Sequence, residues 1–137
     1  MRPDPLAVVE PTTAELQSFA TTTVFFGHQS VGANVLEGLA ALDGVDAAGI
    51  RIIESTDAGS VAPGTVAHAY IGVNGAPQSK LDAFVELMDS GMAEAVDFAL
   101  LKLCYVDIDA HTDVAAVLAA YTDTIAGLQA RHPETTF

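Results

Sequence analysis

Residues Thr21–Leu42 read TTTVFFGHQSVGANVLEGLAAL, and the rest of the chain is interpreted from this stretch. Thr21–Phe26 is β-branched and aromatic, the composition of a buried strand. Val31, Val35, Leu39 and Leu42 then recur at helical spacing. The segment between, Gly27–Ser30, is therefore expected to be a tight strand-to-helix turn. A turn of this kind presents side chains and backbone N–H groups at the carboxyl edge of a sheet, beside a helix N-terminus, where open α/β folds bind ligands and anions. Ser30 is the only ordinary nucleophile in the turn, and His28 precedes it by two residues. Two readings of Ser30 stand at this point: a helix N-cap, or a nucleophile.

The chain has 137 residues, enough for one domain with a core, and half of them are hydrophobic. Eighteen acids against five bases give a formal net charge of −13. Such a surface repels phosphate backbones and anionic bilayers, so neither nucleic acid nor membrane is an expected partner. One cysteine, Cys104, excludes an intrachain disulfide, and its apolar surroundings suit a buried thiol. No signal peptide or membrane-length apolar run is visible, so the chain as given reads as soluble and cytoplasmic; a trimmed N-terminus would make it secreted.

Residues 1–20 read as an arm, Met1–Pro11, followed by a short helix with Thr12 and Glu15 at capping-box spacing. Residues 21–137 read as a single α/β domain. After the opening strand and helix, Ile50–Glu54 is a short β-branched strand. Ser55–Gln78 carries Gly59, Pro63, Gly64, Gly72, Gly75 and Pro77 with no clear period, and reads as a long functional connection. Ser79–Ser90 returns to helix with Leu81, Phe84, Val85 and Met88 on one stripe and Gly91 as its stop. Phe98–Ile108 is nearly continuous in apolar residues, as in a parallel strand covered on both faces; Lys102 within it has no evident role. A long helix capped by Thr112 or Asp113 ends at Pro133, and Glu134–Phe137 looks like the start of another strand. Alternation of this kind implies a parallel sheet. A sheet cut off at its fourth strand would leave an open edge, with Ile125 and Leu128 expected to be exposed and self-association through that edge a consequence.

The block FFGHQSVGANVLEGL resembles the first block of a divergent branch of the SGNH/GDSL hydrolases, with Gly27-His28-Gln29-Ser30 where familiar members carry Gly-Asp-Ser. The resemblance runs from about Thr21 to Phe137. It implies a flavodoxin-like three-layer α/β/α fold with strand order 2-1-3, continuing to 4 and 5 in a complete domain. It also implies that Ser30 attacks an ester or acyl carbonyl of a small molecule, in relatives commonly a carbohydrate-linked one, without a cofactor. Its second segment is Ile71–Pro77 with Ser79-Lys80. There the resemblance makes Gly75, then Gly72, the glycine whose N–H faces the oxyanion, and Asn74 a side-chain donor. The physical reason for glycine is close backbone approach; read without the resemblance, Asn74-Gly75 is a plain turn.

Leu103–Ile108 resembles the strand that ends in Gly-x-Asn-Asp. Asp107 matches the Asp, while Val106 stands where the donor Asn would be. The missing contact would have to come from Asn74, Gln29 or His28. The family's Asp-x-x-His is absent: three residues before His28, His68, His111 and His132 stand Phe25, Thr65, Ile108 and Gln129. The chain therefore reads as the N-terminal portion of such an enzyme. The competing reading is a non-catalytic α/β module, or an inactive fragment, holding a small polar ligand at the same edge. Asp107, Asp109, His111 and Asp113 alternate as divalent-ion ligands can, but no second cluster completes a shell, and no metal is expected.

Overall fold

The computed structural model describes residues 9–137; the arm expected at Met1–Pro11 lies mostly outside them. Helix α1 (Thr13–Phe19) starts at Thr12, whose hydroxyl accepts from the Glu15 N–H while the Glu15 carboxylate accepts from the Thr12 N–H, the expected capping box. Strand β1 (Val24–His28) follows, then α2 (Ser30–Ala40), β2 (Arg51–Glu54), β3 (Thr65–Tyr70), α3 (Pro77–Leu87), α4 (Ala93–Ala95), β4 (Phe98–Leu101) and α5 (Val114–Arg131).

All four strands are parallel, in the order β2-β3-β1-β4. The expected parallel α/β architecture is therefore present, but the order 2-1-3 needs one amendment. A strand lies hidden in the connection read as structureless, and it separates the second expected strand from the first. The β3 sequence TVAHAY has little bulk because it sits at the centre of the sheet: Ala67 and Ala69 leave room for Phe25 and Phe84, which pack in the same cluster. Small residues in a central strand weaken the hydrophobic signature by which strands are read.

One face of the sheet carries Phe25, Ala67, Ala69, Ala99 and Leu101 and is covered by α3 and α5. The other carries Val24 and Val66 and is covered by α1 and α2 through Leu16, Phe19, Leu36 and Leu39. On α2 the inward residues are Gly32 and Leu36, whereas Val35 is 53% exposed. On α3 the stripe of Leu81, Phe84 and Met88 is buried as expected. The helix ends earlier, however, in a π-type turn in which Gly91 takes φ 115°. Asp113 caps α5 by accepting from the Ala116 N–H.

Three expectations need correction. Strand β1 extends through Gly27 and His28, which pair with Ala69 and Tyr70, so the turn is shortened to Gln29 alone. Strand β4 stops at Leu101, and Tyr105–Asp107 forms a 3-10 turn. Finally, the two α5 residues expected to be exposed are covered: Leu128 is fully buried and Ile125 packs against the core, whereas Val114 and Leu118 earlier in the helix are 54% and 63% exposed. Further uncovered apolar surface lies on the opposite face of the sheet, where Phe98 and Leu100 are about half exposed and β4 is covered on one side only. An open groove of about 740 Å³ runs there between Phe26, Val35, Leu36, Leu39, Phe98 and Leu100. The start of a further strand is visible, since Thr136 bridges Phe98 in parallel and accepts from the Ala99 N–H. No helix among the described residues is long and apolar enough to cross a membrane.

Candidate functional site

Adjacent strands β1 and β3 send their connections to opposite faces, β1 into α2 and β3 into α3. A crevice at the carboxyl ends of such a pair is the usual ligand position in open α/β sheets. Ser30 opens α2 on one side of it, and the Ile71–Ala76 loop leads into α3 on the other.

The GHQSVG stretch is built by close packing. A Cβ on Gly27 would lie 2.4 Å from the Ile71 side chain, so glycine lets the β3 exit pack on β1. A Cβ on Gly32 would lie 2.2 Å from His28 Cβ and 2.4 Å from its Cγ; the imidazole occupies the space under the first turn of α2. Gln29 is the N-cap residue of α2 but makes no side-chain cap bond. Its Nε2 donates instead to the carbonyls of Ile71 (2.9 Å) and Gly72 (3.0 Å), tying the two sides of the crevice together. Ser30 is the first residue of the helix and is exposed. The cap reading of Ser30 is thus displaced by Gln29.

His28 is fully buried, and both of its ring nitrogens are engaged: Nδ1 lies 2.7 Å from the Gln29 carbonyl and Nε2 lies 2.9 Å from His68 Nδ1. A carbonyl only accepts, so His28 Nδ1 carries the proton. In the neutral pair His28 Nε2 then accepts from His68 Nδ1–H, which leaves the lone pair on His68 Nε2. Burial lowers the His68 pKa, the neighbouring His28 lowers it further, and Glu54 on β2 works against both. A histidine held below its ordinary value favours folding fully at pH above about 6.5, and that contribution is lost as pH falls towards the folded-state value. Heteronuclear NMR titration is expected to show His68 titrating below about 6.5 with both rings in the Nδ1–H tautomer. A midpoint at or above the ordinary value would contradict the dominance of burial at His68.

Across the crevice a buried ion pair organises the loop. Lys80, fully buried in the first turn of α3, places Nζ 2.6 Å from Asp107 Oδ2 and 2.9 Å from Asn74 Oδ1. A cation at a helix N-terminus is opposed by the macrodipole, so the carboxylate of Asp107 is what holds it there. Asp107 also accepts from the N–H groups of Cys104 (2.6 Å) and Gly75 (2.9 Å). Burial raises the Asp107 pKa. The bonds from Lys80, Cys104 and Gly75, with the charge of Lys80, outweigh it and hold the carboxyl below the usual carboxylate range. Ser79 completes the loop, its Oγ accepting from the Val73 N–H and donating to the Ala76 carbonyl.

The structure therefore links the three segments singled out in the sequence. Gln29 reaches Gly72, Lys80 joins Asn74 to Asp107, and Gly75 joins Asp107. The Gly75 N–H, however, donates to Asp107 rather than facing the crevice unpaired. Lys80 and His68 carry roles that spacing did not reveal. Asp109 accepts from His111 N–H and Thr112 within its own turn, and Asp113 caps α5. No cluster of three or more metal-ligating side chains occurs among the described residues. The apolar groove on the α2 face has none of Ser30, His28, Gly72, Asn74 or Gly75 in its lining. Lys102 Nζ donates to the Leu103 carbonyl, and nothing further in the structure explains it. Comparison of the chain with family models, curated proteins and solved structures finds no match.

Proposed function

We propose that the chain carries the nucleophile side of an SGNH-type serine hydrolase acting on an ester or acyl group, with Ser30 as the nucleophile. The observation that carries this reading is the position of Ser30: exposed, first in α2, directly past the interior strand β1, at the carboxyl edge of the sheet where the connections of β1 and β3 leave to opposite faces. In the reaction Ser30 Oγ forms a bond to the substrate carbonyl carbon, a base takes the hydroxyl proton, and collapse of the tetrahedral species expels the alcohol with that proton. Water then releases the acyl group. The Ser30 N–H, at the helix N-terminus where backbone donors lack intrahelical partners, is suited to the developing oxyanion. A small acylated molecule is the substrate class, a carbohydrate-linked ester among them.

The base is the role these residues fill least. His28 and His132 have both ring nitrogens engaged, and among the described residues no imidazole, His68 with its free Nε2 included, is hydrogen-bonded to the Ser30 hydroxyl. The chain alone is therefore expected to hydrolyse p-nitrophenyl acetate slowly, on the order of 10³–10⁴-fold above water, the residue left when a triad is incomplete. That residual rate comes from oxyanion stabilisation and binding rather than from the serine, so Ser30→Ala should change the slow rate little. A wild-type rate no faster than buffer alone would favour the non-catalytic binding module at the same edge. Rapid turnover abolished by Ser30→Ala would mean that a base is already present.

A further inference from the structure

We infer that His68 is a positioning residue for Ser30, acting through His28 and the peptide group that joins Gln29 to Ser30. The inference rests on the serine-hydrolase reading. His68 is given no contact with substrate; its part is to hold the turn that presents Ser30.

One planar peptide group carries both the Gln29 carbonyl and the Ser30 N–H. It is trans, so the two point in opposite directions, and fixing the carbonyl aims the residue that follows. The carbonyl accepts three hydrogen bonds. Gly32 N–H at 2.8 Å and Ala33 N–H at 3.3 Å tie it to the first turn of α2. His28 Nδ1–H at 2.7 Å ties it to the end of β1. The helical bonds set the peptide relative to its own helix, whereas the imidazole bond sets it relative to the sheet. The ring is also the spacer between strand and helix, since it fills the space that a Cβ on Gly32 would need. Phe26 and Tyr70 wall it in, with ring centroids 5.0 and 4.9 Å away. Such a ring stays in place only while its far nitrogen is satisfied. His28 is fully buried, and with the proton on Nδ1 its Nε2 is an acceptor. His68 Nδ1–H supplies the donor at 2.9 Å. Without it, Nε2 would be a buried acceptor lacking a partner, which favours a displaced ring or an entering water. His68 lies on β3 in register with Phe26, so the sheet itself holds the donor in position. The turn is thus fastened from β3 twice: by Gln29 Nε2 on the carbonyls of Ile71 and Gly72, and by His68 through His28.

The full chain with His68→Asn and His68→Leu tests this. The two replacements are nearly isosteric, but the asparagine amide can donate from about the place of His68 Nδ1, whereas leucine has no donor. The readout is the rate at which p-nitrophenyl acetate acetylates Ser30, followed by peptide mass spectrometry. His68→Leu is expected to slow it about 3- to 10-fold, the effect of one hydrogen bond. His68→Asn is expected to restore it to within about twofold of wild type, because the donor is kept. A merely structural role for His68 would not give rescue by the donor alone. His68→Ala carries the same expectation as His68→Leu and serves where leucine is not tolerated. Equal rates in wild type and all variants would overturn the inference and leave the serine reading standing, as would an equal loss in His68→Asn and His68→Leu. A ¹⁵N–¹⁵N coupling across the hydrogen bond between His28 Nε2 and His68 Nδ1 reads the pair in the wild-type protein; its absence would also overturn the inference. Ser30 left unmodified in the wild type would overturn both readings.

Discussion

Lys80→Met is expected to destabilise the protein by about 3–5 kcal/mol at neutral pH, the usual cost of leaving one partner of a buried ion pair uncompensated. Methionine fills much of the lysine stem's volume, so the loss would come from charge rather than from a cavity. Asp107 would keep the Cys104 and Gly75 N–H bonds but lose the cation. The pH dependence follows from the depressed pKa of Asp107. Its contribution is fully present above the unfolded-state value of about 3.9 and is lost as pH falls through the lower folded-state value. Urea melts should therefore show the largest gap between wild type and variant above pH ~4, narrowing below it. The double variant Lys80→Met/Asp107→Asn should lose less than the sum of the single changes. Full additivity would mean that the two groups do not act as a pair.

Gly72→Ala should cost about 2–5 kcal/mol, and Gly75→Ala only about 1–2, although the two glycines sit three residues apart in one loop. Both have positive φ, 65° and 79°, where an L side chain is strained by roughly 1–2 kcal/mol. Their surroundings differ. A Cβ on Gly72 would lie 2.6 Å from Lys80 Cα and 2.7 Å from its N, backbone atoms at the start of α3 that cannot swing aside. Overpacking of this sort adds roughly 1–3 kcal/mol. A Cβ on Gly75 would meet nothing within 4 Å. Chemical denaturation of the two variants checks the contrast; equal losses would mean that the loop does not press on α3 as described.

The sequence-to-structure relation is uneven for physical reasons. Phe25, Leu81, Phe84 and Met88 announced their elements because bulky apolar residues at strand or helix spacing have one way to be buried. The Thr12 capping box and the Asp113 cap were legible because each motif is complete within four residues. Strand β3 escaped because Ala67, His68 and Ala69 trade bulk for close packing, and because glycine and proline flank it. The extent of β4 was overestimated since Leu103, Cys104 and Val106 are apolar yet lie in an irregular exit and a 3-10 turn. At the candidate site, Ser30 was marked by the local strand-to-helix pattern, and Gln29, Asn74, Gly72, Gly75 and Asp107 by the family resemblance. Their connections were not, because Gln29 to Gly72 and Lys80 to Asp107 span 43 and 27 residues. A buried lysine in particular looks like any surface lysine until its carboxylate partner is located.

The central claim is that Ser30 is a nucleophile, and the most direct measurement is the site of covalent transfer. The full chain is incubated with p-nitrophenyl acetate, quenched in acid and mapped by peptide mass spectrometry. The account predicts an acetyl group on Ser30 that builds up with time, because the same incomplete base that slows acylation also slows its hydrolysis. Acetylation confined to lysines, histidines or the N-terminus, with Ser30 unmodified, would contradict it.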